Sequence, residues 1–477
     1  MFILVLVVIS VSAVTPSRLQ VEINALNTDN ALIHGTWGLC VIDLDSSQVI
    51  AANLPDKSLM PASTLKILTT GAAIGLLGKD YRYTTFVEYD GVYDSIAGVI
   101  HGNLFIRGTG DPTLCSSHFP VDSINGFAGL PKRLKKMGIR IIEGNIYGDR
   151  TFFDDNPLPD GWSWGDLGQY YGAGTSGLDY RDNKVTLHFN SVKGDSGRLV
   201  RVDPQPKGIR YVSNVTCGGK SDDAYVYCSL KGDAYFISGS IPAGRKDFEV
   251  DGSNPDPAFT CAEDVYNGCV KAGIIVGGTA RTWTRQDQRN ARAFVRKPVV
   301  TYLSLPLADI VEVTNKHSDN IYAEQLLRTL GALKGTEGST GAGTVVVKNY
   351  WQSMGIDVEG MNITDGSGLS RSNLVTTRQQ AAILQVISKQ SWYSAFDASL
   401  PVAGKEGSMS SLCKGTCAEN NMRAKTGYIN RARGYAGYVT TKSGKHVCFS
   451  ILANNYTCTP TEMKRKLEKV LIAIAEI

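Results

Sequence analysis

Two hydrophobic periods alternate along this chain, and the places where one replaces the other divide it into segments. Residues 35–43 are largely apolar and rich in β-branched side chains; a turn at Asp45-Ser46-Ser47 and a return run over 49–52 make them a β-hairpin. Over 61–77 the spacing becomes helical. Leu65, Leu68, Ala72 and Leu76 share one face, Pro61 suits the first turn and Gly78 the stop. From about 81 to 282 short strands, glycine turns and prolines dominate, interrupted by helical stretches at 129–137 and 258–272. The second stretch ends at Gly273, before a strand-like run at 274–276, and the inserted material is expected to close there. Helical spacing returns at 307–313, 320–330, 343–354 and 377–388. Strands at 422–427, 435–440 and 446–453 and an amphipathic helix from Thr461 complete the chain. Strands at both ends with helices between them let the first hairpin join the last three strands in one antiparallel sheet, an α+β arrangement.

The 477 residues exceed what one core usually organises, so two or three domains are expected. With 43% hydrophobic and 20% charged residues, the composition is that of a folded chain. A formal charge of +4, from 49 basic and 45 acidic residues, is too small for a polyanion-binding surface, which argues against nucleic acid as a partner. Residues 2–14 form an apolar run ending in the small residues Ser10, Ser12 and Ala13, the pattern of a signal peptide, although no basic residue precedes it; a buried N-terminal strand is the rival reading. Later segments lack the length and apolarity of a membrane helix, so the mature chain is expected to act outside the cytoplasm without a membrane span. Ten cysteines fit an oxidising compartment, and the close pairs Cys217/Cys228 and Cys413/Cys417 invite bridging. Zinc is disfavoured: there is no C-x-x-C pair, and the six histidines (His34, His101, His118, His188, His317, His446) lack ligand spacing.

Candidate chemistry lies in three short motifs in order: Ser63-Thr64-Leu65-Lys66, Ser318-Asp319-Asn320 and Lys425-Thr426-Gly427. S-x-x-K, S-D-N and K-T-G together are the known set of penicillin-binding proteins and class A β-lactamases. A serine hydroxyl needs a base within hydrogen-bond reach, and a helix puts residues three apart on one face, so Lys66 can touch Ser63. Lys66 can act as base if it is neutral part of the time, which burial and a second cation such as Lys425 favour. Alone, S-x-x-K is more often an ordinary helix start. The Ser318-Asp319-Asn320 loop could present a proton-relaying hydroxyl and an amide that holds substrate, or could cap a helix, as Asp319 readily does. On a strand at the cleft edge, Lys425 and Thr426 offer a cation and a hydroxyl to a terminal carboxylate, while Gly427 admits another backbone closely.

Longer stretches carry a resemblance. Gly102-Asn103-Leu104, Gly110-Asp111-Pro112-Thr113-Leu114, Asn315-Lys316-His317 ahead of Ser318, the run from Asp365 to Arg371, and Leu400-Pro401-Val402-Ala403-Gly404 resemble the D-alanyl-D-alanine carboxypeptidase/endopeptidase family, the low-molecular-mass class C penicillin-binding proteins. The resemblance spans nearly the whole mature chain. Positions 66 and 318 leave 251 residues between them, room for the family's two nested inserted domains and too much for a plain β-lactamase. It implies a penicillin-binding-protein/β-lactamase-like transpeptidase domain at 15–85 and 285–477 after a signal peptide at 1–14. One β-rich inserted domain would occupy 86–190 and 240–284, with a second nested at 191–239.

The implied roles are Ser63 as nucleophile, Lys66 as base, Ser318 and Asn320 as proton relay and substrate contact, and Lys425 and Thr426 as carboxylate readers. Backbone N–H groups of Ser63 and Tyr428 would form the oxyanion hole. Asp149 and Arg371 would approach the diamino-acid side chain of a stem peptide. Asn430 stands where the family can carry glutamine, and Gly407-Ser408-Met409 replaces a more usual glycine-threonine-leucine, leaving side-chain preference open. The implied partners are peptidoglycan stem peptides and, as covalent inhibitors, β-lactams. No cofactor or metal is implied, and the expected location is periplasmic or otherwise extracytoplasmic. Two rivals remain: a serine β-lactamase, for which no second carboxylate base is evident, and a β-lactam sensor that stays acylated, which would normally need a membrane segment.

Overall fold

The computed structural model describes residues 17–120, 126–192, 196–229, 232–292 and 295–477. The apolar run at 2–14 therefore lies outside the described residues. The first hairpin does join the last three strands. Arg423–Ile429, Ala432–Thr440, His446–Asn454, Thr36–Asp43 and Val49–Asn53 follow one another in a five-stranded antiparallel sheet. Because side chains alternate along a strand, this sheet feeds two cores. Leu39, Val41, Phe449 and Ile451 face the terminal helices Arg18–Asn27 and Pro460–Ala475. Cys40, Ile42, Cys448 and Leu452 face the helical layer of Lys66–Leu77, Asn320–Lys334 and Thr377–Ser388.

The long insertion comprises two packed units. In the outer one, Ala280–Trp283, Ile146–Asp149, Leu104–Arg107, Thr84–Tyr89 and Lys297–Leu303 form a mixed five-stranded sheet covered by the helix Pro257–Lys271. The unit closes at Leu303 rather than at 284, because Lys297–Leu303 returns to pair with Thr84–Tyr89. Its Lys-Pro start obscures it in sequence and suits the sheet edge it occupies. The inner unit is likewise wider than 191–239. Its strands run from Lys184 to Ser253 in two three-stranded sheets that share a core of Leu187, Phe189, Val215, Val226 and Ile237. All ten cysteines are free thiols. Cys217 and Cys228 cannot meet: they belong to the segments flanking Ala234–Pro242 on opposite sides, with the central strand between them. Cys413 and Cys417, only four residues apart, are unbridged as well.

The segment 150–176 leaves the outer unit, crosses toward the helix Asn320–Lys334 and is fastened there by Arg328. This arginine is fully buried in the helix Asn320–Lys334, with its guanidinium over the Phe153 ring at 4.6 Å. It donates to Asp154 Oδ1 at 2.6 Å, to Thr175 O at 3.0 Å and Oγ1 at 2.9 Å, and to Gly338 O at 3.3 Å. A planar fork satisfies several acceptors at once, which lysine cannot reproduce. Removing one partner of a buried pair strands the others without water, so Arg328→Ala is expected to cost about 3–5 kcal/mol of stability. Chemical denaturation with hydrogen exchange checks this: exchange should rise most across 154–176, and a uniform rise would show that Arg328 supports the core generally.

Candidate active site

Ser63 sits in a 3-10 turn, Ala62–Leu65, that runs directly into the helix Lys66–Leu77. Two glycines let neighbouring backbone reach this turn. A Cβ on Gly427 would lie 2.5 Å from Pro61 O, and one on Gly368, whose φ is +84°, would lie 1.9 Å from Ala62 O. Glycine is the residue that permits both approaches. The strand Arg423–Ile429 and the turn 365–370 thus close on the serine from two sides.

Lys66 Nζ lies 3.0 Å from Ser63 Oγ, and also donates to Asn320 Oδ1 and Ser367 O, each at 2.7 Å. The lysine is 0% exposed. Burial pushes its ammonium down to about 8, against the pull of Asp365, Asp319 and Glu324. Glu324 Oε1 accepts from Gly366 N and Ser367 N, each at 2.8 Å, fixing the peptide whose carbonyl holds Lys66. Asp365 accepts from Gly368 N, Ser370 N, Asn373 and the Trp162 indole. Burial pushes both carboxyl groups up, and Asp365 adds to the rise at Glu324.

Ser318 has φ +60° between the helices Leu307–Lys316 and Asn320–Lys334. Asp319 caps the second helix, accepting from Tyr322 N at 3.0 Å, so the capping role applies to it. Its other oxygen meets His118 Nε2 of the outer unit at 3.1 Å. Burial alone would raise the Asp319 carboxyl, but these hydrogen bonds outweigh it and hold the group below the usual range. Asn320 spends both amide atoms within the protein, Oδ1 on Lys66 and Nδ2 on Tyr171 O at 2.9 Å; it positions the base and the crossing segment. Lys425, also 0% exposed, donates to Ser318 Oγ and Thr426 O, both at 2.9 Å. Burial, then the charge of Lys66, holds its ammonium well below the usual lysine range.

The remaining sequence-expected residues separate. Arg371 donates to Asn430 O at 3.2 Å, joining two of them at the cleft rim, and Tyr428 follows Gly427 on the same strand, paired with Arg433. Asp149 lies elsewhere. It is 1% exposed, accepts from Thr151 N and Oγ1 through one oxygen, and pairs with Arg296 through the other. Its surroundings, with Glu88, Arg107 and Trp283, form a separate cavity of about 540 Å³ in the outer unit. An acid within the electrostatic influence of Arg371 is Asp166, on the short helix Trp164–Leu167, which accepts from Tyr171 OH at 3.1 Å. Burial raises its carboxyl, while Tyr171 and Arg371 oppose the rise. Sequence reasoning passed over Asp166, His118, Glu324 and Tyr171. For Asp166 the available signal was an acid within a glycine-punctuated aromatic run, Trp162 to Tyr171.

Away from the cleft, His188, Asp247 and Glu249 bring three ligand atoms within 4.8 Å of one another on the inner unit. Arg201 already donates there, to His188 Nδ1 and to Asp247, so the cluster reads as an ion-pair network.

Comparison with known proteins agrees with this architecture. The chain is 28% identical over 461 residues to the D-alanyl-D-alanine carboxypeptidase of Actinomadura sp. (strain R39), covering 92% of this chain and 82% of that protein. It is 26% identical over 469 residues to the D-alanyl-D-alanine carboxypeptidase DacB of Haemophilus influenzae, with 96% and 93% covered. The crystal structure of penicillin binding protein 4 from Haemophilus influenzae superimposes with a TM-score of 0.79 at 24% identity, over 96% of this chain and 99% of that one, and so shares the fold. The model of the D-Ala-D-Ala carboxypeptidase 3 (S13) family matches residues 19–475, and the chain belongs to that family.

Proposed function

We propose that this protein is a serine D-Ala-D-Ala peptidase that cleaves peptidoglycan stem peptides through an acyl-enzyme on Ser63, and that β-lactams acylate the same oxygen. The observation that carries the reading is the buried Lys66 Nζ, 3.0 Å from Ser63 Oγ and pushed down to about 8. Neutral Lys66 takes the Ser63 proton as Oγ bonds to the penultimate carbonyl carbon. The carbonyl electrons move onto oxygen, toward the backbone N–H groups of Ser63 and Tyr428. Collapse breaks the C–N bond, and the departing D-alanine amine takes a proton through Ser318, which Lys425 already contacts at 2.9 Å. Water then repeats the sequence on the ester and regenerates Ser63.

Lys425 and Thr426 receive the terminal carboxylate. An ammonium held low by burial and by Lys66 gains a counter-charge when that carboxylate arrives, so binding favours its protonated form. Asp166 and Arg371 supply opposite charges suited to the two ends of a diamino-acid side chain. Glu324 and Asp365 lie behind Lys66, tied to backbone N–H groups, which supports a peptidase over a lactamase with a dedicated carboxylate base. The apolar run at 2–14 supports export to the periplasm.

Four outcomes test this reading. Labelled penicillin should attach to Ser63; Ser63→Ala should abolish labelling, and Lys66→Ala should too, with Lys66→Arg failing to restore it, since a guanidinium stays protonated. Label on another serine, found by peptide mapping, would refute the assignment. The acylation rate should rise with pH and level off above about 8, because only neutral Lys66 accepts the proton; a rate flat from pH 6 to 9 would contradict a lysine base. Asp166→Asn should lower kcat/KM for diaminopimelate-containing peptides roughly tenfold, about 1.4 kcal/mol, with penicillin acylation nearly unchanged. Asp149→Ala should instead lower stability, by stripping Arg296 of a buried partner. Steady-state kinetics and thermal melts of both variants separate the two effects.

A further inference from the structure

One sheet face of the inner unit has no part in the chemistry above and is left open among the described residues. In the sheet of Arg210–Gly219, Ala234–Pro242 and Asp223–Tyr227, alternate side chains enter the core, among them Val215, Val226 and Ile237. The others point outward in cross-strand rows. Phe236 stands between Val212 and Tyr227, Ser238 between Asn214 and Tyr225, and Ser240 between Thr216 and Asp223. Two of the rings are well exposed, Tyr225 at 48% and Phe236 at 51%. Large exposed rings are costly to leave bare, and a contiguous group of them marks a contact surface. Between Arg210 at one end of this face and Asp223 at the other the side chains are aromatic, aliphatic, hydroxyl or amide, with no charge.

This face adjoins the segment that reaches Asn320. Trp164, 62% exposed, stacks on Tyr227 with ring centroids 5.0 Å apart and planes at 29°. The same segment is pinned to the sheet by Gln169 Nε2, which donates to Val226 O at 3.1 Å. Two residues on, Tyr171 gives its carbonyl to Asn320, the residue that holds Lys66. A ligand lying along the face and over Trp164 would therefore lie beside the segment that touches Asn320.

We infer that this face binds the glycan strand of the cell-wall polymer, with Tyr225, Tyr227, Phe236 and Trp164 as a stacking platform. The inference rests on the peptidase reading, which makes a glycan-borne stem peptide the substrate. A charged peptide would call for fixed charges on the platform. A sugar chain presents apolar C–H faces edged with hydroxyl and acetamido groups, which rings flanked by Asn214, Thr216 and Ser238 complement. Holding the polymer beside the cleft would raise the local concentration of its stem peptides without changing the chemistry at Ser63.

The test uses the full chain and its Tyr225→Ala/Phe236→Ala double variant; both rings are exposed, so the fold should tolerate their loss. Two substrates are compared: a soluble D-Ala-D-Ala peptide, and intact peptidoglycan sacculi bearing the same stem peptide. The variant should hydrolyse the soluble peptide within twofold of the parent and release D-alanine from sacculi about tenfold more slowly. Peptide-free glycan strands should bind the parent, perturb its Tyr225 and Phe236 ring signals in NMR, and bind the variant at least tenfold more weakly. Tyr225→Phe/Phe236→Tyr should recover most of the binding, because stacking needs a ring and not a particular one. Equal digestion of sacculi by parent and variant, or no binding of peptide-free strands to the parent, would overturn the inference. Binding of free stem peptide at these rings, with none of glycan, would overturn it in favour of a peptide surface. Failure of the parent to hydrolyse the soluble peptide would count against the peptidase reading alone.

Discussion

Two lysines buried in one cleft, Lys66 and Lys425, impose the constraint on which the rest of the site depends. A desolvated ammonium is costly, and two near each other more so, unless one gives up its proton or carboxylates compensate. Both responses are present. Three acids, Asp365, Asp319 and Glu324, act on Lys66, which is held near 8, while Lys425 has Lys66 and no acid among its principal influences and is held well below the usual lysine range. The outcome is one lysine that can be neutral at working pH beside a second whose protonated form is favoured once an anion arrives. A substrate ending in a carboxylate supplies what Lys425 lacks.

Holding this balance requires the turn 365–370 and the helix Asn320–Lys334 to stay in register with the serine helix, and the insertion contributes to that. Asn320 holds Lys66 on one side and Tyr171 on the other, Gln325 grips Ser176, and Arg328 ties down Asp154 and Thr175. His118 reaches from the outer unit to Asp319. The inserted units thereby help to hold Lys66, Asp319 and Asn320 in place.

Much of this was legible in the sequence because it depends on local periodicity and short spacing. Ser63 and Lys66 meet because a helical turn brings residues three apart together, and the terminal strands showed their period plainly enough to place them in one sheet. The insertion's limits were less legible: Lys297–Leu303 begins with Lys-Pro, and its partner lies some two hundred positions earlier. Side-chain partners at long range were least legible. Asp149 and Asp166 are both insertion acids near turns, and no local pattern shows that the first is consumed by Arg296 while the second bonds Tyr171 within the influence of Arg371. The cysteine pairs misled for a related reason. Spacing in sequence does not show that a strand separates Cys217 from Cys228.

The central claim is that Lys66 loses its proton readily in the resting protein, and the most direct measurement is its titration. Nuclear magnetic resonance of 13Cε-labelled lysine, with the Lys66 signal assigned by its loss in Lys66→Met, reports the charge on Nζ as pH changes. The account predicts a midpoint near 8. A midpoint at or above about 10.4, the value of a free lysine, would contradict it.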